Sequence, residues 1–279
     1  VSLVAEADDR KILEHYQAQA AKHGTSPAST MEDEVIRAKE IELLGAFLAV
    51  VAAERVGREH PLAVLDLGCG NGYALESLGA RHSQHRFHGL DFSLDMLAVA
   101  RPRLARSAPV ARGDARALPW ASGAFDAIYT ERCLINILDA AGQAAALEEI
   151  ARVLAPGGLA VLIEGFTDGL DNNNRARSEC GLEPLAAAHH NRYFVKSEFL
   201  AAVEPHFEIV DPAAWAPEAA AKLASNFLSS HYFIARVLHP LVTQGPWVRN
   251  TEFVKFFSGM APVGEYSPIQ AFILRRRAR

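Results

Sequence analysis

The sequence predicts an α/β fold built on a mainly parallel sheet covered on both faces, and three observations predict it. Between residues 62 and 166, short apolar runs alternate with helical segments. The first run ends in a glycine cluster, as a strand does where it turns into a helix. Half of the 279 residues are apolar and 22% are charged, enough for a packed core and too apolar for a disordered chain. Right-handed crossovers in such a sheet put ligands at the carboxyl ends of the strands.

Residues 9 to 22 and 32 to 55 have helical spacing around the breaker HGTSPAST, and predict an N-terminal helical cap over residues 1 to 58. LAVLDL, residues 62 to 67, is the first strand, followed by a helix from Tyr73 to Leu78. Next come a strand at Arg86 to Leu90, a helix at Ser93 to Leu104 with Ser93 as N-cap, and a strand around Val110. Phe125 to Thr130 is a strand, and the helix from Gln143 to Leu154 stops at PGG. LAVLIEGF, residues 159 to 166, is the next strand. Beyond it the pattern loosens into a polar stretch, 167 to 195, before a helix at Ser197 to Val203. FEIV at 207 to 210 and IQAFIL at 269 to 274 are strands; if they pair, residues 215 to 266 are too long for a loop. Residues 59 to 279 are therefore expected to form one core with lid segments at about 167 to 195 and 215 to 266.

A net charge of −5 argues against a nucleic-acid partner held by phosphate neutralisation. Cys69, Cys133 and Cys180 are odd in number and far apart, which suits reduced thiols in a cytoplasmic protein. VSLVAEADDRK is not the basic, then apolar, start of a secretory signal, and the apolar stretch from Leu43 to Ala53 is too short to span a membrane. No CxxC or HxxxH set is present, so no metal site is expected.

The chemistry-bearing residues cluster after the strands. In VLDLGCGNG, Val64 to Gly72, the glycines at 68, 70 and 72 let a ligand approach the main chain, and Asp66 can fix the loop amides or accept from a ligand amine. Tyr73 stands where a dinucleotide fingerprint needs its last glycine, which opposes a nicotinamide oxidoreductase. Asp91, in HGLDFS, ends the second strand, and its two oxygens suit the diol of a ribose. Asp114, in GDARALPW, follows the third and can accept from an exocyclic adenine amine.

VLDLGCGNG, GLDFS, GDARALPW, FDAIYTERCL and RVLAPGG stand in the order and spacing of class I S-adenosylmethionine (SAM)-dependent methyltransferases, which residues 60 to 166 resemble. The resemblance implies a Rossmann-like sheet of seven strands with the last antiparallel. It implies SAM as cofactor and S-adenosylhomocysteine (SAH) as product. Asp66, Gly68, Gly70 and Asn71 would carry the methionine part, Asp91 the ribose, Phe92 and Met96 would flank adenine, Asp114 and Ala115 would contact it, and Glu131 and Arg132 would lie near the transferable methyl. Tyr16 and Arg37 are candidate contributors from the cap, Arg37 as partner of the cofactor carboxylate. SPASTMEDEVIRAKEIE, GLEPL and SSHYFIARVLHP also resemble a bacterial subgroup associated with surface-polysaccharide and secondary-metabolite pathways.

The expected reaction is methyl transfer to a hydroxyl or amine of a small molecule, such as a sugar or glycan precursor or a secondary metabolite. The alternative is a SAM-binding protein that does not methylate. A hydroxyl acceptor profits from a general base, for which His189, His190 and Tyr193 of AHHNRYF are the first candidates, His231, Tyr232 and Glu131 weaker ones. Adjacent histidines point in different directions, so at most one faces the acceptor. Tyr16, Tyr193, Phe194, Phe227, Tyr232 and Phe233 are candidates for an apolar acceptor pocket.

Overall fold

The computed structural model describes residues 3–54, 61–105, 107–243 and 248–278. Two long helices, α1 (Leu3–His23) and α2 (Glu34–Ala53), lead into β1 (Ala63–Leu67) and α3 (Tyr73–Arg81). There follow β2 (Arg86–Asp91), α4 (Leu94–Leu104), β3 (Val110–Arg112), β4 (Phe125–Glu131), α5 (Ala140–Val153) and β5 (Leu154–Gly165). The chain closes through α6 (Thr167–Glu179), α7 (Lys196–Val203), β6 (Phe207–Ile209), a run of short helical turns, and β7 (Ile269–Arg276). The expected boundary at 58/59 lies outside the described residues.

The seven strands form one sheet in the order β3-β2-β1-β4-β5-β7-β6, with β7 antiparallel to both neighbours. The pairing expected of FEIV with IQAFIL is the one observed. Register lines up the strand tips: Leu67 stands beside Leu90 and Thr130, and Asp91 beside Arg112. The order reverses between β1 and β4, and a crevice opens there at the carboxyl ends.

Both faces of the sheet are covered, which is why β5 reads as a continuous apolar run. Leu159, Val161 and Ile163 face a core shared with α2, α3 and α4, and Ala160 and Leu162 face one shared with α5 and α7. On α2, Leu44, Phe47 and Leu48 are fully buried in the first core, and Asp33 caps the helix by accepting from the Val35 and Ile36 amides at 3.1 Å. As the N-cap of α4, Ser93 accepts from the Met96 amide at 3.3 Å. Helix α1 lies beside α4 and the turn at Pro27–Ser29. Among the described residues no helix is long and apolar enough to cross a membrane.

The loose stretch after residue 166 holds α6, which the apolar pattern did not signal. Its buried stripe is Gly169, Asn173 and Arg177, spaced four apart and polar. Asn173 donates to the Tyr266 carbonyl at 2.9 Å, Asn172 to that of Glu265 at 2.9 Å, and Arg177 Nε to that of Glu183 at 2.7 Å. At Gly169 an added methyl would sit 1.9 Å from the Ser267 carbonyl oxygen. This helix is held by hydrogen bonds to carbonyls and one close backbone approach, and a search for apolar period 3.6 passes over it.

Candidate active site

The loop after β1 turns on left-handed glycines, Gly68 at φ +85° and Gly70 at φ +51°. The amides of Gly68 and Cys69 both donate to the Leu90 carbonyl, at 2.8 and 3.0 Å, pinning the loop to the tip of β2. Any Cβ at Gly68 would stand 2.6 Å from that of Cys133, so this loop and the one after β4 press together. Asp91 ties the next contact: its Oδ2 accepts from the Gly70 amide at 2.7 Å and its Oδ1 from the Ser93 amide at 2.8 Å. Burial pushes its carboxyl up, and the donated amides of Ser93, Gly70 and Phe92 oppose that rise.

These tips surround an open cavity of about 990 Å³. Gly68, Gly70, Asn71, Asp91, Phe92, Asp114, Ala115, Glu131 and Arg132 line it, joined by Tyr16 from α1 and Arg37 from α2. Asn71 donates to the carbonyls of Gly24 and Ser26, at 3.2 and 2.9 Å, and fastens the α1–α2 connection over the loop. Asp114 is gripped by Arg116, whose Nη2 reaches Asp114 at 2.7 Å and Asp9 of α1 at 2.7 Å.

Two of the expected wall residues stand elsewhere. Asp66 is buried beneath the loop and accepts from the Tyr129 hydroxyl at 3.1 Å; burial and then Glu131 raise its carboxyl strongly. Met96 is fully buried under Gly70, its Cε 3.4 Å from where a Cβ would be. Both support the loop from below, because the side chain of each points into the core.

A buried charge cluster joins α2 to the end of β4. Arg37 Nη1 bonds Glu131 Oε1 at 2.8 Å and lies 3.6 Å from Glu40 Oε2, while Arg132 pairs with Glu40 Oε1. Two cations meet two carboxylates, which offsets the cost of taking each out of water. Burial and then Arg37 lower the Arg132 guanidinium to about 9; burial raises Glu131, with Arg37 opposing. Arg132 holds φ +57°, a strained value for a side-chain-bearing residue, which the ion pair with Glu40 helps to fix. Arg37 Nε is buried without a partner.

A second chamber adjoins the first and shares Tyr16, Thr30, Arg132 and Asn136 with it. His15, Ser29, His190, Asn191, Tyr193 and Tyr232 complete much of its wall. His190 stacks on His15, ring centroids 3.7 Å apart, and Tyr16 donates to Asn136 at 2.6 Å. His189 is exposed and outside the lining. His231 is buried against Asp33 at 3.4 Å, away from both cavities. Of the six aromatic candidates, Tyr16, Tyr193 and Tyr232 line the chamber; Phe194 and Phe227 are core residues, and Phe233 packs on Tyr266 at 4.9 Å.

Residues 64–158 match the family model described as a methyltransferase domain. That stretch is a methyltransferase domain. It is 34% identical over 173 residues to a trans-aconitate 2-methyltransferase of Acidovorax sp. strain JS42, covering 60% of this chain and 62% of that one. To a demethylmenaquinone methyltransferase of Lactococcus lactis it is 36% identical over 116 residues, 40% of this chain and 45% of the other. The chain thus spans about half to three-fifths of these relatives' lengths. The solved TehB-like SAM-dependent methyltransferase of Corynebacterium glutamicum shares the fold at a TM-score of 0.51 and 16% identity, over 98% of this chain and 100% of that one.

The domain also uses residues that the sequence pattern did not single out. Glu164, fully buried on β5, accepts from the Thr130 hydroxyl at 2.7 Å and from the amides of Cys133, Leu134 and Ile135 at 3.1 to 3.2 Å. Burial pushes its carboxyl up to about 7. It holds the loop that carries Arg132 and Asn136. The available signal was a carboxylate inside an apolar strand, which must find donors. Glu40 gave a similar signal, an acid among the apolar positions of α2.

Proposed function

We propose that the protein transfers the methyl group of SAM to a hydroxyl or amine of a small molecule bound in the second chamber. The observation that carries this is the shared wall of Tyr16, Thr30, Arg132 and Asn136 between two adjoining cavities. One cavity takes the donor and the other the acceptor, so that a nucleophile can line up with the methyl and exclude water. The named acceptors of the relatives, demethylmenaquinone and trans-aconitate, support a small-molecule acceptor.

The residues fit the cofactor. The unpartnered Nε of buried Arg37 suits the amino-acid carboxylate, with Glu131 beside it for the ammonium. Asp91 would accept from the ribose hydroxyls, Phe92 would pack on adenine, and Asp114 with Ala115 would meet its edge. When bound, the sulfonium supplies an activated methyl electrophile.

Calorimetry with SAH, then incubation with methyl-labelled SAM and a metabolite extract, tests the assignment. Binding followed by label in a small product is expected. Absence of binding by folded protein removes the reading, and tight binding with no transfer to any fraction favours a non-methylating use of the cofactor.

A further inference from the structure

Resting on the reading of the second chamber as the acceptor site, we propose that the acceptor is an organic acid whose carboxylate is held there by Arg132 and Tyr232, while the methyl goes to a hydroxyl or amine elsewhere on the same molecule. Arg132 stands on the wall that the two cavities share, and its Nη1 is taken by Glu40. No hydrogen bond among the described residues holds its Nε or Nη2, and neither is sealed from open space as the Nε of Arg37 is. Those two nitrogens form the side edge of the guanidinium. Their parallel N–H groups match the two oxygens of a carboxylate.

The Tyr232 hydroxyl is the second donor. Tyr232 lines the second chamber and not the first. No described residue bonds its Oη, which likewise reaches open space. Burial and then Tyr193 raise this phenol's pKa, so it keeps its proton and can donate. Arg132 and Tyr232 act on each other electrostatically across the wall. By contrast, Tyr16 is committed to Asn136 at 2.6 Å, and Tyr193 is engaged by Asn191.

Charge on the walls favours a monoanion. Arg132 is the one lysine or arginine among the described residues lining this chamber, and with its guanidinium lowered only to about 9 it is charged at pH 7. Burial lowers the imidazoles of His15 and His190, so neither supplies a further cation at neutral pH. A single two-pronged cation suits a planar carboxylate, whereas a phosphate monoester brings nearly two charges and finds no second cation. The wall's carboxylate, Glu32, is engaged by Arg249 at 2.9 Å, so an ammonium finds no free counter-charge. An acid also offsets the positive sulfonium across the shared wall.

The test uses the full chain. Calorimetry with SAH examines the cofactor reading by itself, and absence of binding there fells that reading alone. Benzoate and benzamide, alike in shape and different in charge, are then titrated into the protein with and without saturating SAH. Benzoate is expected to bind beside SAH, and benzamide at least about tenfold more weakly. Tyr232→Phe should weaken benzoate about tenfold at unchanged SAH and benzamide affinity, and Arg132→Lys, which keeps the charge and loses the two-pronged edge, at least as much. No benzoate binding, equal binding of the two probes, competition of benzoate with SAH, or an unaffected Tyr232→Phe overturns the proposal. Methyl-labelled SAM is finally incubated with a metabolite extract. A labelled product retained by an anion exchanger, its label stable to mild alkali, supports the proposal. A neutral or cationic product overturns it, as does an alkali-labile methyl ester, in which the carboxylate is nucleophile and not anchor. No label in any fraction counts against methyl transfer itself and leaves the benzoate titrations to decide the acid site.

Discussion

Most of the first cavity's wall comes from loops that directly follow β1 to β4, between Leu67 and Ile137. The second chamber instead collects His15 and Tyr16, the turn at Ser29, Asn136, His190, Asn191 and Tyr193, Tyr232 and Ile269. One site is a property of a sheet edge, repeated strand after strand in sequence order. The other exists only where six separate segments converge, and its chemistry can change without disturbing the sheet. The two meet at Arg132, which the buried Glu40 ties to Arg37.

The largest effect is expected from cutting that tie. Glu40→Gln leaves Arg37 and Arg132 buried with one carboxylate between them, and should cost about 3–5 kcal/mol in urea unfolding. A loss below 1 kcal/mol would mean that the two sites are not held together by this cluster. Next, Asp91→Ala should weaken SAH binding by about 2–3 kcal/mol in calorimetry, since a charged acceptor is removed from the donor site. The circular dichroism of the sheet should persist, and acceptor-chamber variants such as His190→Gln should not reproduce the weakening.

A pH series separates the regions differently. His190 has a lowered pKa, so the folded protein binds fewer protons there than the unfolded chain. Its contribution to stability is full above the unfolded value of 6.5 and is lost as pH falls from there to about 4. His190→Leu should flatten the melting temperature's slope in that window; an unchanged slope would show that other groups carry it. The smallest effect is assigned to Tyr16→Phe, which removes one hydroxyl donated to Asn136. About 1 kcal/mol is expected, read as a several-fold rise in the acceptor KM with SAH affinity within about twofold. Equal losses in both would mean that this hydroxyl serves the first cavity as much as the second.

How much was legible follows the same division. Gly68, Gly70, Asp91 and Asp114 could be located because each follows a strand within a few residues, and strand tips of a parallel sheet share an edge. Asp66 and Met96 were placed on the wall by their neighbourhood, but a one-residue change of direction on a strand or a turn of helix buries them beneath it. Helix α6 escaped because its buried stripe is made of glycine, asparagine and arginine, whose partners lie around residues 183 to 185, 236 and 265 to 267. His189 and His190 were equivalent in sequence, and burial, a place on the chamber wall and stacking on His15 distinguish His190.

The amino-acid sequence by itself determined the alternation of strands and helices, the glycine turn after β1 and the acids at the tips, because these depend on periodicity and backbone freedom over a few residues. Tertiary structure alone decided which imidazole meets the chamber, which carboxylates are consumed in holding loops, and how α2 reaches the end of β4. Those outcomes depend on burial and on distances between segments far apart in the chain, where solvation and pairing are set only once the segments have packed.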